Sequence, residues 1–143
     1  MNYDFDFMEK WADELEKDKW RQTDGALSDY FFDRELKEEV LGYCCLGVAV
    51  CLHTHEEPGV EISGGTLPRY ISELYFQSVD DPFLLVPEEI MEEHAEQFYE
   101  GSKYVKYNAT ELNDQKHLSF KEIAACIRYT IKKEKEKRDG KSS

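Results

Sequence analysis

The chain has 143 residues, 41% of them hydrophobic, with 8 Phe, 9 Tyr and 2 Trp; that is the size of one domain with enough apolar material for an aromatic-rich core, so general disorder is excluded. Its net charge is −13, and because residues 132–143 hold six bases and three acids, residues 1–131 carry −16. A field of that sign repels DNA and RNA, no stretch reaches the roughly 18–20 consecutive apolar residues of a membrane span, and the acidic opening residues are the opposite of a basic export signal. The expectation is a cytoplasmic protein that binds neither nucleic acid nor membrane.

Residues 6–18 place Phe7, Met8, Trp11, Ala12 and Leu15 at helical intervals, with Asp6 available as a cap, and predict an amphipathic opening helix. Residues 17–25 lose the period and end in the turn signal Asp24-Gly25. The aromatic run Tyr30-Phe31-Phe32, set among Asp29, Asp33 and Glu35, fits a strand and a helix equally. Residues 42–52 are apolar all round and must be enclosed by protein; their length favours a buried helix over a central strand. A glycine-rich loop follows, leading to a short helix that Pro68 opens, Thr66 caps and Ile71, Leu74 and Tyr75 turn inward. Pro87 opens another, with Ile90, Met91, Ala95 and Phe98 inward, Gly101 as its stop and a solvated face of glutamates. Residues 103–107 alternate with period two and read as the best strand in the chain, and Asn113-Asp114 reads as a turn. The last helix starts most clearly: Ser119 and Glu122 form a capping box, Leu118 and Ile123 a hydrophobic staple, and Phe120, Ile123, Ala124, Ile127 and Ile131 its buried stripe. These elements predict an α+β, mainly helical fold, a single domain over 1–131 with a buried central helix and a small β element, followed by a charged flexible tail over 132–143.

No nucleophile elbow, phosphate loop, dinucleotide fingerprint or zinc-protease motif occurs, so no catalytic residue is assigned and no cofactor is expected. Cys44, Cys45, Cys51 and Cys126 sit in apolar company and read as reduced structural thiols. Cys45, Cys51, His53 and His55 lie close in sequence, but without the two-to-four-residue spacing of a structural zinc site, and no metal is assigned. One segment suits an anion: Ser63-Gly64-Gly65-Thr66 before the Pro68 helix, with Arg69 in its first turn, where backbone N–H groups, a helix start and a guanidinium coincide.

Lys19-Trp20-Arg21-Gln22, Gly25-Ala26-Leu27, Tyr43-Cys44-Cys45-Leu46-Gly47-Val48, Leu67-Pro68, Leu112-Asn113-Asp114 and Ser119-Phe120 with Glu122-Ile123-Ala124 follow one another in a recognisable order. Over about residues 17–131 the chain resembles a widespread family of small phage and prophage proteins. In that family Tyr-x-Gln-x-x-Gly-x-Leu precedes Tyr-Cys-Cys-Leu-Gly-Val, and the chain closes with Leu-Asn-Asp, a short loop and Phe-x-x-Ile-Ala. Here Trp20 stands where Tyr is usual, and the segment between Leu27 and Tyr43 is long and acidic.

The resemblance implies a non-catalytic counter-defence protein of the host cell cytoplasm, a sponge that sequesters a cyclic di- or oligonucleotide signal without cleaving it. A small domain closes such a pocket best with a second copy, which implies a homo-oligomer. The candidate contacts are Gly64, Gly65, Thr66 and Arg69 for phosphate, Arg21, Gln22, Asn113 and Asp114 for a base edge, and Trp20 or Tyr43 as a stacking face. The alternative is an acidic inhibitor that imitates DNA or docks on a basic host or defence protein.

Overall fold

The computed structural model describes residues 3–76, 81–98 and 106–140. They form six helices and two small antiparallel sheets, an α+β, mainly helical fold. The first helix, α1 (Phe5–Glu16), buries Phe7, Met8, Trp11, Ala12 and Leu15. Its cap is Asp4, not Asp6: the Asp4 carboxylate accepts the Phe7 N–H at 3.0 Å, satisfying one of the unpaired donors of the first turn.

The acidic segment after Leu27, open between strand and helix in sequence, is a hairpin. Strand β1 (Ser28–Asp33) pairs antiparallel with β2 (Glu38–Tyr43), in register from Ser28 opposite Tyr43 to Asp33 opposite Glu38. The turn decides it: the Asp33 carboxylate accepts the N–H groups of Glu35 and Leu36, and Lys37 takes the left-handed conformation that brings the chain back. Gly42 and Tyr43 therefore belong to β2, and the buried helix α2 (Cys45–Thr54) starts later than residue 42. It is enclosed from Cys45 to Cys51. The Cys44 thiol caps it by accepting the Gly47 N–H at 3.4 Å, and the Trp11 indole donates to the Cys45 carbonyl at 2.8 Å, fixing α1 against it. Gly47 is required because a Cβ there would stand 2.0 Å from the Leu27 carbonyl oxygen.

Helix α3 (Arg69–Phe76) turns Ile71, Ser72 and Phe76 inward; Leu74, expected inside, is 57% exposed. Its cap position is Pro68, whose carbonyl receives the Ser72 N–H, so Thr66 lies before the helix instead of capping it. A second sheet pairs β3 (Phe83–Leu85) with β4 (Lys106–Asn108). Residues 103–105 of the expected strand lie outside the described residues, as does Gly101; the better-formed strands are those of the hairpin. Helix α4 (Glu88–Glu93) is short: His94 ends it, Ala95 is exposed, and Phe98 is buried beyond the helix. Asn113-Asp114 is no turn but the end of α5 (Ala109–Asp114), which the Asn108 side chain nucleates by accepting the Glu111 N–H at 2.8 Å.

Helix α6 (Phe120–Gly140) begins with the capping box, Ser119 N–H to Glu122 Oε1 at 3.0 Å and Glu122 N–H to Ser119 Oγ at 3.2 Å. The expected stripe is buried, together with Cys126 and Thr130, and packs along α1. Arg128 closes the outer seam, reaching Glu9 at 2.7 Å, Asp13 at 2.6 Å and Glu16. The helix does not end at Ile131. Residues 132–138, all Lys, Glu or Arg, are good helix formers, and Lys135 and Arg138 lie over the Phe5 ring at 5.5 and 4.5 Å, so the charged segment continues α6 to Gly140.

Candidate functional site

The sequence-predicted ligand residues divide into those that build the interior and those that come to the surface apart from one another. Neither stacking candidate offers a free face. Trp20 is buried, its indole N–H on Glu14 at 3.2 Å and its ring edge-to-face with Tyr43 at 5.0 Å. Tyr43 is 1% exposed; its hydroxyl donates to the Val60 carbonyl at 2.6 Å and accepts the Gly59 N–H at 3.0 Å, and burial raises its pKa. The Tyr-Cys-Cys run thus ties the loop 59–60 to the hairpin.

Asn113, 3% exposed, is a structural hub. Its Oδ1 accepts from Gln22 Nε2 at 3.0 Å and from the Cys45 N–H at 3.2 Å; its Nδ2 donates to the Thr23 carbonyl at 2.9 Å and to Asp114 at 2.8 Å. Gln22 also donates to the Leu118 carbonyl at 2.8 Å, and the other oxygen of Asp114 accepts the Gly25 N–H at 3.2 Å. Three candidates from distant parts of the chain are therefore brought together, and two of them, Gln22 and Asn113, line a cavity of about 140 Å³ with Thr23, Asp24, His117 and Leu118. Gly64, left-handed at φ +101°, adjoins this assembly by accepting the Leu27 N–H at 3.1 Å, and Gly65 faces Gly25.

The cations go elsewhere. Arg69 is paired with Glu73 of its own helix at 2.8 Å, on the side exposed to solvent, and Thr66 is exposed. Arg21 reaches Asp33 at 2.8 Å. The N–H groups of Leu36 and Glu35, with that guanidinium, hold the Asp33 carboxyl below its ordinary range. Gly64 turns its carbonyl to the Leu27 N–H, and the Arg69 guanidinium is paired with Glu73.

The four cysteines are free and buried. Burial raises Cys44 and Cys51 to about 11 and Cys126 to about 12, and pushes Cys45 well above the ordinary range, so all four are protonated thiols at neutral pH. His53 is held by Tyr75, Nδ1 to hydroxyl at 2.7 Å, beside a second cavity of about 240 Å³ between the start of α1 and the end of α2. His55 ends α2 in the left-handed conformation.

Among the described residues, large apolar side chains are exposed on α3, at Tyr70 and Leu74, and on the hairpin. Tyr30 is 51% and Phe32 59% exposed on the same face of β1, with Leu36 51% exposed at the turn and Val60 42% exposed on the neighbouring loop. Glu39, paired with Phe32, shares the face of Tyr30 and Phe32 and Glu35 is exposed at the turn, while Asp29 and Glu38 lie exposed on the other face of the hairpin and Arg34 and Lys37 are exposed at its turn. No family model matches the chain, and neither a curated protein nor a solved structure is similar to it. Sequence reading missed this surface because three consecutive aromatics do not show which face of a strand is buried until the strand has a partner; the acids that bound the run, Asp29 and Asp33, were the signal available.

Proposed function

We propose that this protein acts by occupation and not by chemistry, as a phage-type counter-defence inhibitor in the cytoplasm of the host, docking its acidic hairpin on a basic host or defence protein. The exposed Tyr30, Phe32 and Leu36, on a hairpin that holds five acids against two bases, carry this reading. Aromatic side chains gathered at a patch centre are the usual anchors of a protein interface, and a charged rim steers the encounter and selects a partner of opposite sign. The protonated state of the four thiols is consistent with a non-catalytic role.

The test places a photo-crosslinking residue at position 32 and compares capture from host extract by the wild type, a Tyr30→Ser/Phe32→Ser variant and a variant altered at Arg69 on α3. The expected result is one basic protein crosslinked at position 32, its capture lost in the double variant and in high salt but retained in the Arg69 variant. Equal capture by the double variant, or capture indifferent to salt, overturns the proposal.

A second reading, sequestration of a cyclic nucleotide, is favoured by the convergence of Gln22 and Asn113 at one cavity, with Asp114 bonded to Asn113. At about 140 Å³ this cavity is well below the roughly 300–1,000 Å³ of pockets that enclose ligands of drug size. Sequestration therefore requires a site completed by a second copy. Incubation with a panel of cyclic oligonucleotides, followed by heating, distinguishes the readings: intact nucleotide released in stoichiometric amount supports sequestration, and no binding rejects it.

A further inference from the structure

We propose that Glu93, His94 and Glu122 form a divalent-metal site joining the end of α4 to the start of α6, with zinc as the ion it holds best. This goes beyond the docking role and is independent of it. Ligand atoms of the three side chains lie within 4.8 Å of one another, and His94 Nε2 is 2.6 Å from Glu122 Oε2. Zinc bound at about 2.0–2.2 Å by nitrogen and oxygen in a tetrahedron has ligands about 3.3–3.6 Å apart, which falls between these limits, so the three groups need only adjust their side chains to enclose an ion.

The donor set points to the class of ion. One imidazole with two carboxylates is poor in oxygen for calcium or magnesium, which take six or more oxygen ligands, and carries no thiolate to select copper(I) or an iron–sulfur cluster. Among first-row ions of ordinary availability, zinc binds mixed nitrogen and oxygen sites more tightly than manganese or iron(II). Three protein ligands leave a position for water.

Two features hold the ligands ready. The capping box divides the work of Glu122: Oε1 accepts the Ser119 N–H at 3.0 Å, which fixes the carboxylate and leaves Oε2 directed at His94. An ion at Oε2 therefore leaves the helix cap intact. His94 is fixed through its backbone, its N–H on the Ile90 carbonyl at 3.0 Å and its carbonyl receiving the Gln97 N–H at 2.8 Å. Sequence inspection for metal spacing passes over this site because Glu122 lies 28 residues from His94 and is read first as a capping residue.

The experiment uses the untagged full-length chain, stripped with chelator and titrated calorimetrically with zinc, manganese and magnesium chlorides, with cobalt(II) as a spectroscopic substitute. Expected are one zinc per chain, a zinc-dependent rise in melting temperature, weaker manganese binding, and a cobalt spectrum without a thiolate charge-transfer band. Glu93→Gln, at an exposed position where folding is secure, and His94→Gln should each weaken zinc binding about tenfold or more, while His53→Gln leaves it unchanged. No zinc binding at 100-micromolar-scale protein, undiminished binding in the Glu93 and His94 variants, or a thiolate band from cobalt overturns the proposal.

Discussion

Truncating Asn113 separates a folding role from a ligand-reading role. In Asn113→Ala the Cys45 N–H, in the first turn of α2 and wholly buried, loses its acceptor. A buried donor left unpaired costs about 1–3 kcal/mol, and each of the other lost bonds, from Gln22, to Thr23 and to Asp114, adds about 0.5–1.5 kcal/mol. The sum is about 2.5–7.5 kcal/mol, which in a chain of this size lowers the melting temperature by about 10 °C or more. Gln22→Ala is the control. It removes the bonds to Asn113 and to the Leu118 carbonyl, but leaves the Cys45 N–H paired, so about 1–3 kcal/mol is expected. Urea unfolding of both variants, read by tryptophan fluorescence and by circular dichroism, measures the difference. If Asn113→Ala costs less than about 1 kcal/mol, or no more than Gln22→Ala, the hub reasoning fails and the residue is free to serve a ligand.

The last helix gives a graded series: Ile123→Ala should cost about 2–5 kcal/mol as a core truncation, and Ser119→Ala about 1 kcal/mol from loss of the cap, both by denaturant titration. Arg128→Met should destabilise by about 1–2 kcal/mol at low salt, because three carboxylates of α1 lose their shared counter-charge; the loss should shrink in 1 M salt, since the guanidinium is partly exposed and screened. Glu14, Asp33 and Glu122 have lowered carboxyl pKa values in the folded state, so the stability they contribute is complete above the unfolded carboxylate range and disappears as pH falls through their native values; melting temperatures between pH 7 and pH 3 should show that fall. The thiols act in the opposite direction. Folded values of about 11 for Cys44 and Cys51 and about 12 for Cys126, against 9.0, mean that above pH 9 the unfolded chain releases protons that the folded chain retains, so stability should decline from pH 9 to pH 11 and the thiols should react with disulfide reagents only on unfolding.

Local signals were sufficient where one face of an element met one environment. The five apolar residues of α1 and the capped start of α6 were legible because helical spacing and a capping box act within a few residues of themselves. Long-range partners decided the rest. Tyr30-Phe31-Phe32 became a strand through pairing with Glu39, Val40 and Leu41 and through the Asp33 turn, none of which composition reveals. Leu74 lies outside because α3 is rotated to bury Ser72 and Phe76, and residues 132–139 remain helical because Phe5, at the other end of the chain, lies beneath them. The candidate site was legible in part: Gln22, Asn113 and Asp114 do meet, but the hydrogen bonds that join them are made to one another and to the backbone.

The motifs that carry the resemblance are used in this chain to fold it. Tyr43 binds the 59–60 loop, the Cys44 thiol caps α2, Cys45 offers its N–H to Asn113, and Gly47 admits the Leu27 carbonyl where any side chain would collide. Leu-Asn-Asp then locks the chain's opening loop to α5, and the capping box starts the helix against which α1 packs. Any partner must then be read from what the surface presents: among the described residues, the exposed Tyr30 and Phe32 of the hairpin, the exposed Tyr70 and Leu74 of α3, and the group Glu93, His94 and Glu122.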